Sequence, residues 1–372
     1  MPSRRTLVLG LSAAALSGCA PRARIVLVPG AATVGAVREV FVATTRQAGE
    51  NGENSALRAP QIGFARYLVS VPPVHEPGEI ELPRRGQAAD PARHFVTAGF
   101  ERYGSAPEFR AALSAALRAT PRGGREAVVY VHGFNNTFAE GVYRTAQIGH
   151  DLQVPAVAVH YAWPSAAQPL NYAYDRDSAL FARDGLERLL EELRAAGARH
   201  VTLVAHSMGA QLSMETLRQI EIGGEGRVRR LVQAVVLFAP DIDVELFRAQ
   251  ALRIGRLPEP FVIFTSRRDG VLLLSARLTG QRARLGNLQD FGAVADLDVI
   301  LLDVSAFSDG SAFNHFSAAS SPTLLSLFSS IGAVEAALGG ERAGRAGLFP
   351  GTVLTLQNAT AIILTPVAAV AN

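Results

Sequence analysis

From residue 126 onward the chain alternates between short apolar runs and longer stretches of helical periodicity, which constrains its fold more than any other feature. EAVVYVHG (126–133), PAVAVHYAWPS (155–165), HVTLVAHS (200–207), LVQAVVLFAP (231–240) and PFVIFTS (260–266) are strands rich in β-branched residues. Their apolar residues are consecutive, so both faces must be buried. TFAEGVYRTAQIGHDL (137–152), DRDSALFARDGLERLLEELRAAG (175–197), the run from Met208 and DVELFRAQALRIG (243–255) have the spacing of amphipathic helices. The second is expected as one long helix closed by Gly197. LDVILLDV (297–304) is a last strand and SPTLLSLFSSIGAVEAAL (321–338) a last helix.

Right-handed crossovers between such strands bring their ligand-bearing ends to one edge. The expectation is an α/β fold: a mostly parallel sheet with helices on both faces, in one domain over residues 36–338. Upstream, REVFVATTR (38–46) and FARYLVSVPP (64–73) are two more strands, and APEFRAALSAALRA (106–119) is a helix. Residues 47–61 are expected as a polar loop and 72–91 as a proline-rich surface segment. The extension 339–372 breaks the alternation; its apolar end either adds a strand or docks on the sheet.

Composition removes several function classes. All 36 basic residues are arginine, which excludes a Ser–Lys dyad, a Schiff-base lysine and a P-loop lysine. Net charge is only +3, and no arginine stripe interleaves with aromatics, so nucleic acid is not an expected partner. No Cys or His cluster has ligand spacing, so neither metal nor organic cofactor is expected.

The single cysteine, Cys19, ends a charged-then-apolar leader. Arg4 and Arg5 precede a run too short to span a bilayer, as in an export signal. LSGC resembles a lipobox, and SRRTLV also resembles a twin-arginine signal. The expectation is a signal peptide over residues 1–18, acylation of Cys19 and a tether over 19–35. Ala20 after the cysteine, by likeness to other lipoproteins, favours an outer-membrane lipoprotein on the periplasmic side of a bacterial envelope.

The sharpest local feature is AHSMGA (205–210), a strand-to-helix corner with a hydroxyl at its tip. A plain turn would use Gly, Pro, Asn or Asp. A serine forced out of the sheet needs small residues two before and two after it; these are Ala205 and Gly209. The helix from Met208 aims its first N–H groups at the same point. Such a corner matches the nucleophile elbow of α/β-hydrolases, with alanine in place of the first glycine.

Ser207 needs a base, and in that fold the order is Ser, acid, His. Only His315, in SAFSDGSAFNHFS (305–317), follows Ser207. For the acid, Asp269 after PFVIFTS is preferred to Asp241 in APDID; Asp303 is a third option. Each could instead be a cap or a loop carboxylate. Oxyanion donors are expected from the backbone N–H groups of Met208 and Phe134. His132 shapes that turn and, with Asn135, Trp163 and Tyr172, is expected to contact substrate. Trp163, Tyr172 and Tyr174 read equally well as pocket mouth or as rim packing, and Asp175 and Asp177 as first-turn helix acids.

Taken together, REVFVATTR, HGFNNTFAEGVYRTAQIGHDL, YAWPS, YAYDRDSA, VAHSMGA, LFAPDID and SRRDGVLLLSARLTG resemble the bacterial α/β-hydrolases of the DUF900 family. The resemblance implies an α/β-hydrolase fold with a Ser–Asp–His site, carried by Ser207, Asp269 and His315, and names no substrate. The expected activity is hydrolysis of a small-molecule or lipid carboxylic ester. The alternatives are acyl transfer by the same triad and a non-catalytic envelope lipoprotein on a hydrolase-like scaffold. Nothing here fixes an oligomeric state.

Overall fold

A computed structural model describes residues 22–120, 124–278, 280, 283–307, 351–356 and 359–364. Its strands are β1 (Ala36–Ala48), β2 (Asn54–Val71), β3 (Val96–Tyr103), β4 (Glu126–Val131), β5 (Val157–Ala162), β6 (His200–His206), β7 (Ala234–Phe238), β8 (Phe261–Thr265), β9 (Ile300–Asp303), β10 (Gly351–Leu356) and β11 (Ala359–Leu364). Its helices are α1 (Ala106–Ala119), α2 (Phe138–Asp151), α3 (Tyr172–Phe181), α4 (Arg183–Ala195), α5 (Met208–Ile222), α6 (Arg227–Leu231), α7 (Val244–Ile254) and α8 (Gly270–Leu278).

All the strands join one sheet, in the order β10-β11-β9-β8-β7-β6-β4-β5-β1-β2-β3. From β11 to β1 every neighbouring pair is parallel. The pairs at the two ends, β10–β11 and β1–β2–β3, are antiparallel. Consecutive strand residues bury on opposite faces. Val129, Val131, Leu203, Ala205, Val235 and Leu237 pack with α1, α4, α5 and α7, while Tyr130, Val204, Val236 and Val262 pack on the other side with Ile148 of α2. This two-sided burial is why the central strands read as unbroken apolar runs.

Several expectations change. β2 begins at Asn54, inside the stretch expected as a loop, and with β1 makes a long hairpin arm past the sheet edge. β3 was not anticipated. The expected single helix over 175–197 is two, α3 and α4, meeting at Ala182. There the buried Tyr161 hydroxyl donates to the Ala182 carbonyl, which also accepts from the Leu186 N–H of α4. The extension adds β10 and β11 beyond β9. The helix expected over 321–338 lies outside the described residues.

From Arg22 on, the stretch expected as a tether is packed down. Ala23 and Ala31 are buried, Thr137 Oγ1 donates to the Ala23 carbonyl, and Tyr143 donates to that of Arg24. Val26 and Val28 then bond with Thr97 of β3. Apolar side chains at 23 to 31 find a place on the sheet that composition alone did not suggest.

Candidate active site

The parallel strands deliver four consecutive loops to one edge, and each contains a non-glycine residue at positive φ: Asn135 after β4, Ala167 after β5, Ser207 after β6 and Ala239 after β7. Side chains avoid this region at a cost of about 1–3 kcal/mol each, and such outliers gather where geometry serves chemistry. Ser207 has φ 52° and ψ −121°, between the last residue of β6 and the first of α5.

The elbow is tied on both sides. Ser207 N–H donates to the Phe238 carbonyl (3.0 Å), and its own carbonyl accepts from Ala210 (3.0 Å) and Asp241 (3.1 Å). Ala205 is fully buried. A Cβ on Gly209 would stand 2.6 Å from the Val131 carbonyl oxygen and nearer still to that of His132. A Cβ on Gly133 would stand 2.7 Å from His206 Nδ1 and 2.9 Å from Ser207 Cβ. The turn after β4 and the start of α5 therefore touch backbone to backbone, which only glycine permits. Phe134 and Met208 directly follow Gly133 and Ser207, the two residues that meet in this contact. Among the described residues neither of their N–H groups has a backbone acceptor outside regular structure.

The loop 133–136 is braced from below. Asp175, fully buried, accepts from Asn135 N–H (3.2 Å), Ser165 Oγ (2.5 Å) and Ala166 N–H (2.6 Å). Burial pushes its carboxyl above the usual aspartate range despite these donors. Ser165 Oγ also accepts from Asn136 N–H (3.1 Å), and the buried Arg46 guanidinium donates to the Asn136 carbonyl (2.9 Å). Burial lowers the Arg46 pKa to about 10, against the pull of Asp175 and Glu53, so it stays charged. Asn136 Nδ2 donates back to Phe134 O (2.9 Å), bracing the loop, whereas Thr137 caps α2 with a capping box to Glu140.

Two residues expected to contact substrate stand beneath the loop. Trp163 is fully buried, stacked on the equally buried His132 at 4.8 Å, and donates through Nε1 to the His132 carbonyl (2.7 Å). The ring nitrogens of His132 face the carbonyls of Gly133 (2.9 Å) and Trp163 (3.0 Å). Burial, then Arg46 and His160, hold its pKa well below the ordinary value, so the ring is neutral. Their rings fill buried space beside the loop that follows β4. Asn135 and Tyr172 are partly exposed and remain candidates for contact; Phe134 meets Tyr172 edge-on at 5.4 Å.

The two leading acids differ in their surroundings. Asp241 is bound by Tyr172 Oη (2.7 Å), Ser275 Oγ (2.7 Å) and the buried guanidinium of Arg284 (3.1 Å). Burial, then the Asp241 charge, push the Tyr172 hydroxyl up to about 12, so it stays a donor. Asp269, also buried, follows β8 and caps α8 through Oδ1, accepting from Val271 and Leu272 (both 3.0 Å). Asp303 is held by Arg267 (2.9 Å) and Ser305. His315 and Cys19 lie outside the described residues. Among the described residues no group of three His, Cys, Asp or Glu is placed to hold a metal ion.

Sequence reasoning missed Arg46, Ser165 and Arg284 and read Asp175 only as a helix-start acid. The one available signal was that Arg46 and Asp175 sit inside REVFVATTR and YAYDRDSA, blocks that carry the family resemblance, without any local pattern giving their role.

A family model described as an alpha/beta hydrolase of unknown function (DUF900) matches residues 106–332. Curated proteins give no significant match. Among solved structures, a lipase B from Aspergillus fumigatus is 15% identical with a TM-score of 0.38; the match covers 62% of this chain and 58% of the lipase, under two thirds of its length. An esterase from Pyrobaculum calidifontis is 12% identical, covering 81% of this chain and 85% of its own, with a TM-score of 0.35. A Pyrococcus furiosus esterase is 12% identical, covering 77% and 87%, with a TM-score of 0.32.

Proposed function

We propose, for a chain that belongs to the DUF900 family of α/β hydrolases, the activity of a serine hydrolase on carboxylic esters. The observation that carries this reading is Ser207 itself, a serine at φ 52° between a buried strand and a helix N-terminus. Such strain is reasonable if the hydroxyl must stand clear of the sheet.

In this reading Ser207 Oγ attacks the ester carbonyl carbon while His315 takes its proton. The oxygen of the tetrahedral intermediate accepts from Phe134 and Met208 N–H, with the positive end of α5 behind it. Collapse expels the alcohol, protonated by His315, and leaves an acyl-serine. Water, deprotonated by the same imidazole, releases the acid and restores the serine. Asp269 orients His315. Asp241 is less suited, because two hydroxyls and Arg284 already satisfy its carboxylate. The Asp175–Ser165–Arg46 brace keeps the loop set before substrate arrives, as preorganised oxyanion stabilisation requires.

The same reading holds the chain to a membrane through acylated Cys19, on the periplasmic side of a bacterial envelope. The test of the chemistry is covalent labelling of the folded protein by a fluorophosphonate. Labelling that disappears in Ser207→Ala is expected; a folded wild-type protein that never labels refutes the hydrolase reading and favours a binding scaffold.

A further inference from the structure

We propose that the edge of the sheet carrying Ser207 faces the lipid surface to which the chain is anchored, so that the site takes its ester from that layer. This rests on the hydrolase reading and on acylation of Cys19, and it adds an orientation and a substrate source to both.

The first observation is where the chain is fastened. Arg22 donates to Asn135 Oδ1 (3.1 Å) and to the Asn135 carbonyl (2.8 Å), and pairs with Glu140 (2.8 Å). The contacts of Ala23 and Arg24 with Thr137 and Tyr143 continue the hold. Arg22 is thus pinned on the loop that presents the Phe134 N–H. Only two residues, Ala20 and Pro21, separate it from Cys19, a reach of at most about 11 Å when extended. A globular body of roughly 300 residues has a radius of gyration of about 19 Å. A lipid on Cys19 therefore leaves this chain little freedom to turn its active edge away.

The second observation is what that edge displays. Leu170 is 96% exposed, and Leu57, Leu273 and Leu274 are exposed as well. Leu170 lies just before Tyr172, and Leu273 and Leu274 just before Ser275; the Tyr172 and Ser275 hydroxyls are 2.8 Å apart, so these segments meet. Leu57 is on the β1–β2 arm, which packs on α3 through Tyr174 Oη to Ala56 O (3.3 Å) and Arg58 to Ser178 (3.0 Å). Single exposed apolar residues occur elsewhere, as on any protein surface. Here four occupy segments around one site, with exposed Arg176 in α3 and exposed Arg268 in the turn before α8. Apolar tips with arginines among them suit the boundary between acyl chains and anionic headgroups.

The test uses the full chain, matured in cells and reconstituted in vesicles of phosphatidylethanolamine and phosphatidylglycerol. Acylation consumes the Cys19 thiol, so Leu170→Cys supplies the one reactive site for a polarity-sensitive fluorophore. His200→Cys, at the exposed start of β6, is the control on the opposite edge. Expected are a blue-shifted emission at 170 that brominated acyl chains quench severalfold, at a depth of about 5–10 Å, and unquenched, water-like emission at 200. Water-like emission at 170, quenching at 200, or a Cys19 that still reacts with the thiol reagent overturns the proposal. Fluorophosphonate labelling of the same samples reports on Ser207 separately, so a wrong orientation and a wrong chemistry are told apart.

Discussion

Replacing Gly209 by alanine puts one methyl group where the first turn of α5 meets the end of β4. The added carbon would lie 2.6 Å from the Val131 carbonyl oxygen and closer to that of His132, both backbone atoms that no rotamer change can move. Relief requires the helix start and the turn before Phe134 to part by roughly 1 Å, and an extra methyl in a filled site costs about 1–3 kcal/mol. The upper end applies here, and the better helix propensity of alanine returns about 1 kcal/mol. The net loss is about 2 kcal/mol, a fall in Tm of about 3 °C for a domain of roughly 300 residues. The catalytic effect is expected to be larger, because the same displacement separates the Phe134 and Met208 N–H groups, and misplacement by about 1 Å costs about 100-fold. The assay pairs a thermal melt with the second-order rate of fluorophosphonate labelling at Ser207. Ala205→Gly serves as the comparison: it softens a strand by about 0.5–1 kcal/mol and should label normally. A Gly209→Ala protein that melts lower yet labels at the wild-type rate would refute the claim that this backbone contact sets the oxyanion donors.

Two more predictions separate catalytic from structural charges. Asp269→Asn should cut kcat on a short-chain ester by about 10³–10⁴-fold with little change in stability. Asp241→Asn should instead lower the urea midpoint sharply, because it strands the buried Arg284 guanidinium at a cost of about 3–5 kcal/mol; the opposite pattern would exchange the two roles. His75 gives a pH signature away from the site. Burial opposes its charge, but bonds to Asp151 (2.7 Å) and Glu81 (3.0 Å) prevail and raise its pKa to about 9. Its contribution to stability is fully present below the unfolded value near 6.5 and is lost as pH rises through about 9. The paired carboxylates, both lowered, act in the other direction and lose their contribution in acid. Tm should fall between pH 7 and 10, and His75→Gln should flatten that fall; a wild-type Tm constant over the range would contradict the pairing.

How much of this could be read beforehand depended on whether a feature is local. The central strands announced themselves because both faces are buried, and the elbow because its small residues and its serine are adjacent in the chain. β3 escaped because its half-exposed VTAGFERY interleaves Gly, Glu and Arg with apolar residues. The break between α3 and α4 falls at Ala182, and nothing within 175–197 marks it. The same holds for Asp175: its neighbours describe an ordinary helix start, while its partners Asn135 and Ser165 arrive from other loops. Trp163 and His132 were misjudged for a related reason. Aromatic residues beside a reactive loop read alike whether they lie over it or under it, and only the packed turn shows that these lie under.

The bonds between Val26, Val28 and Thr97 bear on solubility. β3 is the last strand on its side of the sheet, and an open margin invites a second molecule to add its own strand. By lying along that margin, residues 26–28 occupy part of it with this chain's own backbone. Deleting them would expose donors and acceptors to intermolecular pairing, so an N-terminally trimmed form is at risk of self-association even where its fold survives.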